Sequence, residues 1–267
     1  MYNFIDLHLH SVFSWDAQQS IEDIVKKAKE KNVSILGLTE HFDFHRNHPM
    51  SYMYLDYSAY TKKIIEMKKD FPGLLKGLEV GEPYLHIDAY EKFMEGKVFD
   101  YVMGSVHWIG QDSPVEDKYF HNFVTVEEAY KVYLEEEFKL VSYGKFDMAP
   151  HVTLVHRHGK QFMPGFGYEK YKKEIDDILK MMINKKIALE VNCSGLRMQA
   201  GDFIPGMDVI KAYLGHGGDM LTVGSDAHRV KDTFFGLDKA YAMLDSIGVK
   251  ELTYFVNREP KKIPLKK

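Results

Sequence analysis

An α/β fold with one parallel sheet is what this sequence predicts, on three observations. Short strand-like apolar runs alternate with longer helical ones through seven units, with no composition break between them. The 267 residues are the right size for one α/β barrel, and a single domain over 1–267 is expected. Thirdly, many of the 13 histidines recur at the ends of the strand-like runs.

The elements follow in order. Residues 2–7 read as a strand. Ser20 caps a helix whose Ile21, Ile24, Val25 and Ala28 form one apolar stripe, with Glu22 and Asp23 in the first turn. On its wet face Glu22–Lys26 and Asp23–Lys27 are favourably spaced pairs. A strand over 33–39 precedes a helix at about 57–70, and strands follow at about 74–79 and 101–106. Thr125 and Glu128 make a capping box for a long helix that Gly144 ends. Strands at about 147–150, 187–193 and 220–225 alternate with helices at about 168–184, 206–215 and 236–247. The tail lysines 261, 262, 266 and 267 read as a solvated end.

Composition narrows the function. The 45% hydrophobic content excludes disordered and fibrous classes. Lys+Arg 35 against Asp+Glu 39 lacks the basic excess of a nucleic-acid-binding surface. A single cysteine, Cys193, rules out an internal disulfide and a thiolate-rich zinc site; its alternation with Leu189 and Val191 marks it as packed apolar. Met1–Asp6 lacks the basic-then-apolar pattern of a leader, and no apolar run would span a bilayer. The expectation is a soluble, cytoplasmic protein without membrane or nucleic-acid partners.

Chemistry concentrates at the strand ends. His8 and His10 end the first strand, with Asp16 just beyond. His41 ends the second, Glu79 the third, His107 the fourth and His151 the fifth. Asp226 and His228 end the seventh. In a parallel barrel these carboxyl ends converge on one rim. Residues i and i+2 of a strand point the same way, so His8/His10 and Asp226/His228 each offer two donors to one side. Imidazole and carboxylate without thiolate suit Zn, Mn or Fe. Nine donors exceed what one ion uses, so two to three divalent metal ions are expected. One histidine at a strand end is usually structural; repetition at nearly every strand end makes the metal reading outweigh that. Asp6 faces the same way as His8 and either orients a ligand imidazole or is buried on backbone amides. Arg197, after the sixth strand, and Arg157 and Lys160, after the fifth, are the cations available to a phosphate. No phosphate-cradling Gly-rich loop or nucleophile elbow occurs, which leaves metal-activated water.

These motifs — Asp-Leu-His-Leu-His at 6–10, Ser-Trp-Asp at 14–16, Thr-Glu-His at 39–41, Gly-Leu-Glu at 77–79, Ser-Val-His at 105–107 and Ser-Asp-Ala-His at 225–228 — resemble the polymerase-and-histidinol-phosphatase (PHP) superfamily. The segments 150–159 and 189–197 are similar to its monofunctional histidinol-phosphate phosphatases. The resemblance implies a distorted seven-stranded (β/α)7 barrel, TIM-barrel-like, with a trinuclear centre. It implies His8, His10, Glu79 and Asp226 on one metal, Glu79 bridging to a second held by His107 and His151, and Asp16, His41 and His228 on a third. One departure is Ala149 before Pro150-His151, where glycine is expected. The implied reaction is hydrolysis of L-histidinol phosphate in histidine biosynthesis, by a metal-bridging hydroxide attacking phosphorus. Glu79, Asp226, His228 and Arg197 are its expected catalytic residues, and Arg197, Arg157 and Lys160 its substrate contacts. The alternative is a PHP-type nuclease or nucleotide phosphomonoesterase. The loop from Trp108 to Phe123, with Asp112, Glu116 and Asp117, is either the place for leaving-group recognition or a solvated acidic loop.

Overall fold

The computed structural model describes residues 1–46, 48, 50–162 and 167–266. Seven parallel strands pair in sequence order: β1 (Ile5–Leu9), β2 (Ile35–Phe42), β3 (Leu74–Gly81), β4 (Tyr101–Ser105), β5 (Met148–Ala149), β6 (Ala188–Asn192) and β7 (Leu221–Gly224). The sheet curls until β7 meets β1, where Asp226 N–H donates to the His8 carbonyl at 2.8 Å and His10 N–H to that of Ala227 at 3.1 Å. The result is a nearly closed barrel. Helices α1 (Ile21–Lys31), α2 (Tyr57–Met67), α3 (Ile87–Met94), α4 (Asp117–His121), α5 (Val126–Tyr143), α6 (His156–Gly159), α7 (Lys172–Lys185), α8 (Met207–Gly215) and α9 (Leu237–Ser246) connect the strands.

Strand alternation sorts the residues. Leu7 and Leu9 on β1, Leu36, Leu38 and Phe42 on β2, and Leu189 and Val191 on β6 are buried apolar positions. The intervening positions are polar and equally buried: His8, Thr39, Glu79, Glu190 and Asn192. The hydrogen bonds that link His8, Glu79, Glu190 and Asn192 place these four inside the barrel. Tyr101 forms part of the barrel floor, its hydroxyl donating to the Leu7 carbonyl at 2.6 Å. Gly37 makes room for it, because a Cβ there would stand 1.7 Å from that hydroxyl oxygen.

Helix starts follow the expected chemistry. Ser20 and Asp23 cap α1 reciprocally, and Thr125 accepts the Glu128 N–H at the start of α5, which Gly144 ends at φ 66°. Glu22, however, reaches across to Lys63 on α2 at 2.5 Å rather than down its own helix to Lys26. β5 is only two residues long, because Pro150 has no N–H to continue the ladder. The largest departure is the C-terminal segment. Instead of a solvated tail it forms an antiparallel hairpin, β8 (Glu251–Val256) and β9 (Glu259–Pro264). Lys261 and Lys262 lie on β9, and Lys266 pairs with Asp245 at 2.6 Å; Lys267 lies outside the described residues. Leu252 and Phe255 on β8, and Leu265 just after β9, are buried. Among the described residues, no helix is long and apolar enough to cross a membrane.

Candidate metal centre

Six of the seven strand ends, all but that of β6, bring the nine expected donors to one rim. Glu79, at the end of β3 and fully buried, is its hub. Its Oε1 stands 3.0 Å from His151 Nε2 and 3.1 Å from His107 Nε2; its Oε2 stands 3.1 Å from His8 Nε2. His10 Nε2 and His41 Nδ1 each lie 3.4 Å from that second oxygen. Asp226 Oδ1 is 3.8 Å from both His8 and His10 and 3.6 Å from His228 Nδ1. Asp16 Oδ2 faces His228 at 3.3 Å and His41 at 3.6 Å.

The donors fit divalent ions better than they fit one another. His10 Nε2, His41 Nδ1 and Asp16 Oδ1 are buried without a hydrogen-bond partner. The His10 ring stacks between those of His41 and His228, with centroids 4.2 and 4.1 Å away. Burial and the His228 and His41 charges push His10 well below the usual imidazole range, so three imidazolium ions cannot share this space. A cation there would satisfy the nitrogens without that repulsion. Among the described residues, four groups converge closely enough to hold an ion: His8/His10/Asp226, His8/Glu79/His151, His10/His41/His228 and His41/Asp43/His107.

Surrounding groups fix the rings. His8 Nδ1 meets Glu190 at 2.8 Å, His10 Nδ1 meets Ser14 Oγ at 3.2 Å, and His107 Nδ1 meets Asp43 at 3.1 Å. Each leaves the other ring nitrogen turned toward the centre. Asp43, Glu190 and Glu40 are the site carboxylates to which sequence reasoning assigned no role. Glu40 accepts from the Ser11 and Ser14 hydroxyls, both at 2.6 Å, and burial pushes its pKa up to about 7. Asp6 takes the backbone option: it accepts the N–H groups of Ser225 at 3.0 Å and His8 at 3.2 Å. Two non-glycine residues here, His151 (φ 32°) and Asp226 (φ 52°), adopt left-handed backbone. The strained turn at His151 lies two residues after Ala149, where glycine is expected, and the His151 imidazole still reaches Glu79.

The three expected cations separate. Arg157 lines the chamber above the centre; its Nη2 donates to Asp226 at 2.6 Å and Ser194 at 2.7 Å, and its buried Nε has no partner. Arg197 lines an adjoining cleft, with Nη1 on the Ser225 carbonyl at 2.7 Å and Nη2 on that of Asp226 at 2.5 Å. Lys160 donates to the Ala200 carbonyl at 2.5 Å and lines neither space. The chamber encloses about 230 Å³ and is walled by Trp15, His48, Trp108, Glu116 and Leu154. His48, which sequence reasoning left unassigned, packs between the Trp15 and Trp108 rings at 4.7 and 5.1 Å. Cys193 is fully buried, as its alternation predicted.

Fold and site together define an α/β barrel with a histidine–carboxylate centre at its carboxyl rim. The chain belongs to the PHP domain family, whose family model matches residues 6–194. It is 26% identical over 255 residues to "Histidinol-phosphatase" of Lactococcus lactis subsp. lactis (strain IL1403), covering 94% of each chain. It is 25% identical over 254 residues to "Probable histidinol-phosphatase" of Clostridium acetobutylicum, covering 93% of this chain and 96% of that one. Its fold superposes with a TM-score of 0.88 on the crystal structure of histidinol phosphate phosphatase from Lactococcus lactis complexed with Zn, L-histidinol and phosphate. That match is 24% identical and covers 97% of this chain and 99% of that one.

Proposed function

We propose that this chain is a metal-dependent phosphomonoesterase that hydrolyses L-histidinol phosphate to L-histidinol and phosphate, a step of histidine biosynthesis in the cytoplasm. The observation that carries the reading is a complete donor set on one rim, in a chain matched end to end by relatives named histidinol-phosphatase. His8, His10, Glu79 and Asp226 would hold one ion, Glu79 with His107 and His151 a second, and Asp16, His41 and His228 a third. Bound there, divalent ions supply Lewis-acid stabilisation of phosphoryl charge and an acidified water as nucleophile.

The chain's own groups do the rest. Arg157 lines the chamber, where its guanidinium charge would stabilise a phosphoryl oxygen, while Asp226 and Ser194 hold its Nη2 still. Arg197 fixes the Ser225–Asp226 backbone and adds positive charge behind it. Glu116, on the chamber wall, faces the place left for an ammonium, and Trp15, His48 and Trp108 offer ring faces to an imidazole. Leu154 and the two tryptophans limit water around the ester.

Phosphate release from L-histidinol phosphate, a nucleoside monophosphate and a short oligonucleotide tests the reading on protein loaded with Zn, Mn or Fe. Preference for histidinol phosphate is expected. Faster turnover of either nucleotide substrate would put the nuclease or nucleotidase reading in its place.

A further inference from the structure

The centre opens in two directions. The chamber described above and a second cleft share Asp16, Arg157, Asp226 and His228. Beyond those four, the two spaces have opposite chemistry. The chamber continues into Trp15, His48, Trp108 and Glu116, whereas the cleft continues into Arg197 and Arg229 and encloses about 330 Å³.

The charge of the cleft is only partly neutralised within it. Asp226 is engaged by Arg157, and Asp16 by His41 and His228. Arg197 spends both terminal nitrogens on backbone carbonyls, which leave its full charge in place. Asp232 also lines the cleft and is attracted to Lys27, which lies outside its lining. Arg229 is exposed, directly follows His228 in the chain, and makes no ion pair among the described residues within 4.0 Å.

We propose that this cleft is the exit path of inorganic phosphate and a transient binding site for such oxyanions, with Arg229 as its outer cation. The inference rests on the phosphatase reading above. A cleaved phosphomonoester yields two products of opposite character: an alcohol carrying the organic group and a free oxyanion. The acid-and-aromatic mouth suits the first, and the three arginines that line the cleft, Arg157, Arg197 and Arg229, suit the second. Separate mouths let the phosphate leave while the organic product still fills the chamber.

The test compares wild type, Arg229→Gln and Arg229→Lys in metal-loaded protein. Calorimetric titration with inorganic phosphate reads binding directly. Product inhibition by inorganic phosphate and by histidinol reads each mouth during turnover. Arg229→Gln should weaken phosphate in both measurements roughly two- to five-fold, the range of one exposed charge contact. Arg229→Lys should retain wild-type phosphate binding, and inhibition by histidinol should be unchanged in both variants. Unchanged phosphate affinity in Arg229→Gln, or equal weakening of phosphate and histidinol, overturns the proposal. Should the protein turn over some other phosphomonoester instead of histidinol phosphate, the substrate reading fails while the phosphate titration still decides the role of Arg229.

Discussion

Glu190 Oε1 lies 2.8 Å from His8 Nδ1, with both side chains fully buried. The other oxygen of Glu190 accepts the His151 N–H at 3.1 Å and the Asn192 amide at 2.9 Å. One carboxylate therefore fixes the ring of one rim histidine and the backbone of another. Burial alone would hold His8 low, but Glu190, Glu79 and Asp226 outweigh it and raise its pKa well above the usual imidazole range.

Replacing Glu190 by Gln removes the charge that sets the His8 tautomer and presents an N–H where an acceptor stood. Metal affinity should fall about 10- to 100-fold with the fold intact. Competition with a chromogenic chelator measures it; wild-type affinity would show that Glu190 does not orient His8.

Natively purified protein should contain two to three divalent ions per chain, and chelation should abolish activity reversibly. Glu79→Gln should cost more activity and more bound metal than His107→Ala, because a neutral amide bridges two ions poorly. Elemental analysis beside turnover reads both, and near-normal metal content in Glu79→Gln would remove Glu79 from the bridging position.

The three acids of the loop after β4 are not equivalent. Asp112 is held by Lys118 and Asn122, each at 2.6 Å, and Asp117 by Gln161 at 2.5 Å, whereas Glu116 lines the chamber. Glu116→Gln should weaken use of histidinol phosphate by about 1–3 kcal/mol and leave a simple aryl phosphate nearly untouched. Asp112→Asn and Asp117→Asn should treat both substrates alike. Equal behaviour of all three variants would place ammonium recognition elsewhere.

Away from the rim, burial pushes Glu137 up to about 8, with the Tyr133 hydroxyl donating to it. A carboxyl raised in the folded state keeps its proton between its unfolded pKa, near 4.5, and about 8, while the unfolded chain has lost it. Its contribution to stability is therefore whole below pH 4.5 and declines as pH rises toward 8. Glu137→Gln should remove a pH-dependent loss on the order of 2–4 kcal/mol between pH 5 and 8. Urea unfolding at the two pH values measures it; an unchanged pH slope in the variant would mean that Glu137 is ionised in the native protein.

Much of this molecule is legible in its sequence because a strand end is a fixed place. Once His8, His41, Glu79, His107 and Asp226 are put at the ends of parallel strands, barrel geometry brings them together without further information. What escaped sequence reading depends on contacts across the barrel. Asp43 follows β2 in the chain, but only the approach of β4 sets it against His107. Glu190 could be given the interior face from alternation alone, yet its partner is 182 residues away on β1. Chain position favours Arg197 over Arg157 as the phosphate clamp, yet it is Arg157, on the helical turn at His156–Gly159, that lines the chamber, while two carbonyls hold Arg197 in the cleft. The C-terminal hairpin escaped because β9 is exposed along nearly its whole length and so carries no apolar alternation.

The barrel closes through the residues that form the rim. β7 returns to β1 by the Asp226 amide on the His8 carbonyl and by the His10 amide on that of Ala227. Few hydrogen bonds join this seam, compared with the full ladder between β2 and β3. Ions held jointly by His8, His10 and Asp226 would thus act as rivets across this lightly fastened seam of the sheet. Their departure would loosen the cylinder itself, so that amide exchange at this seam and metal release become one event seen from two sides.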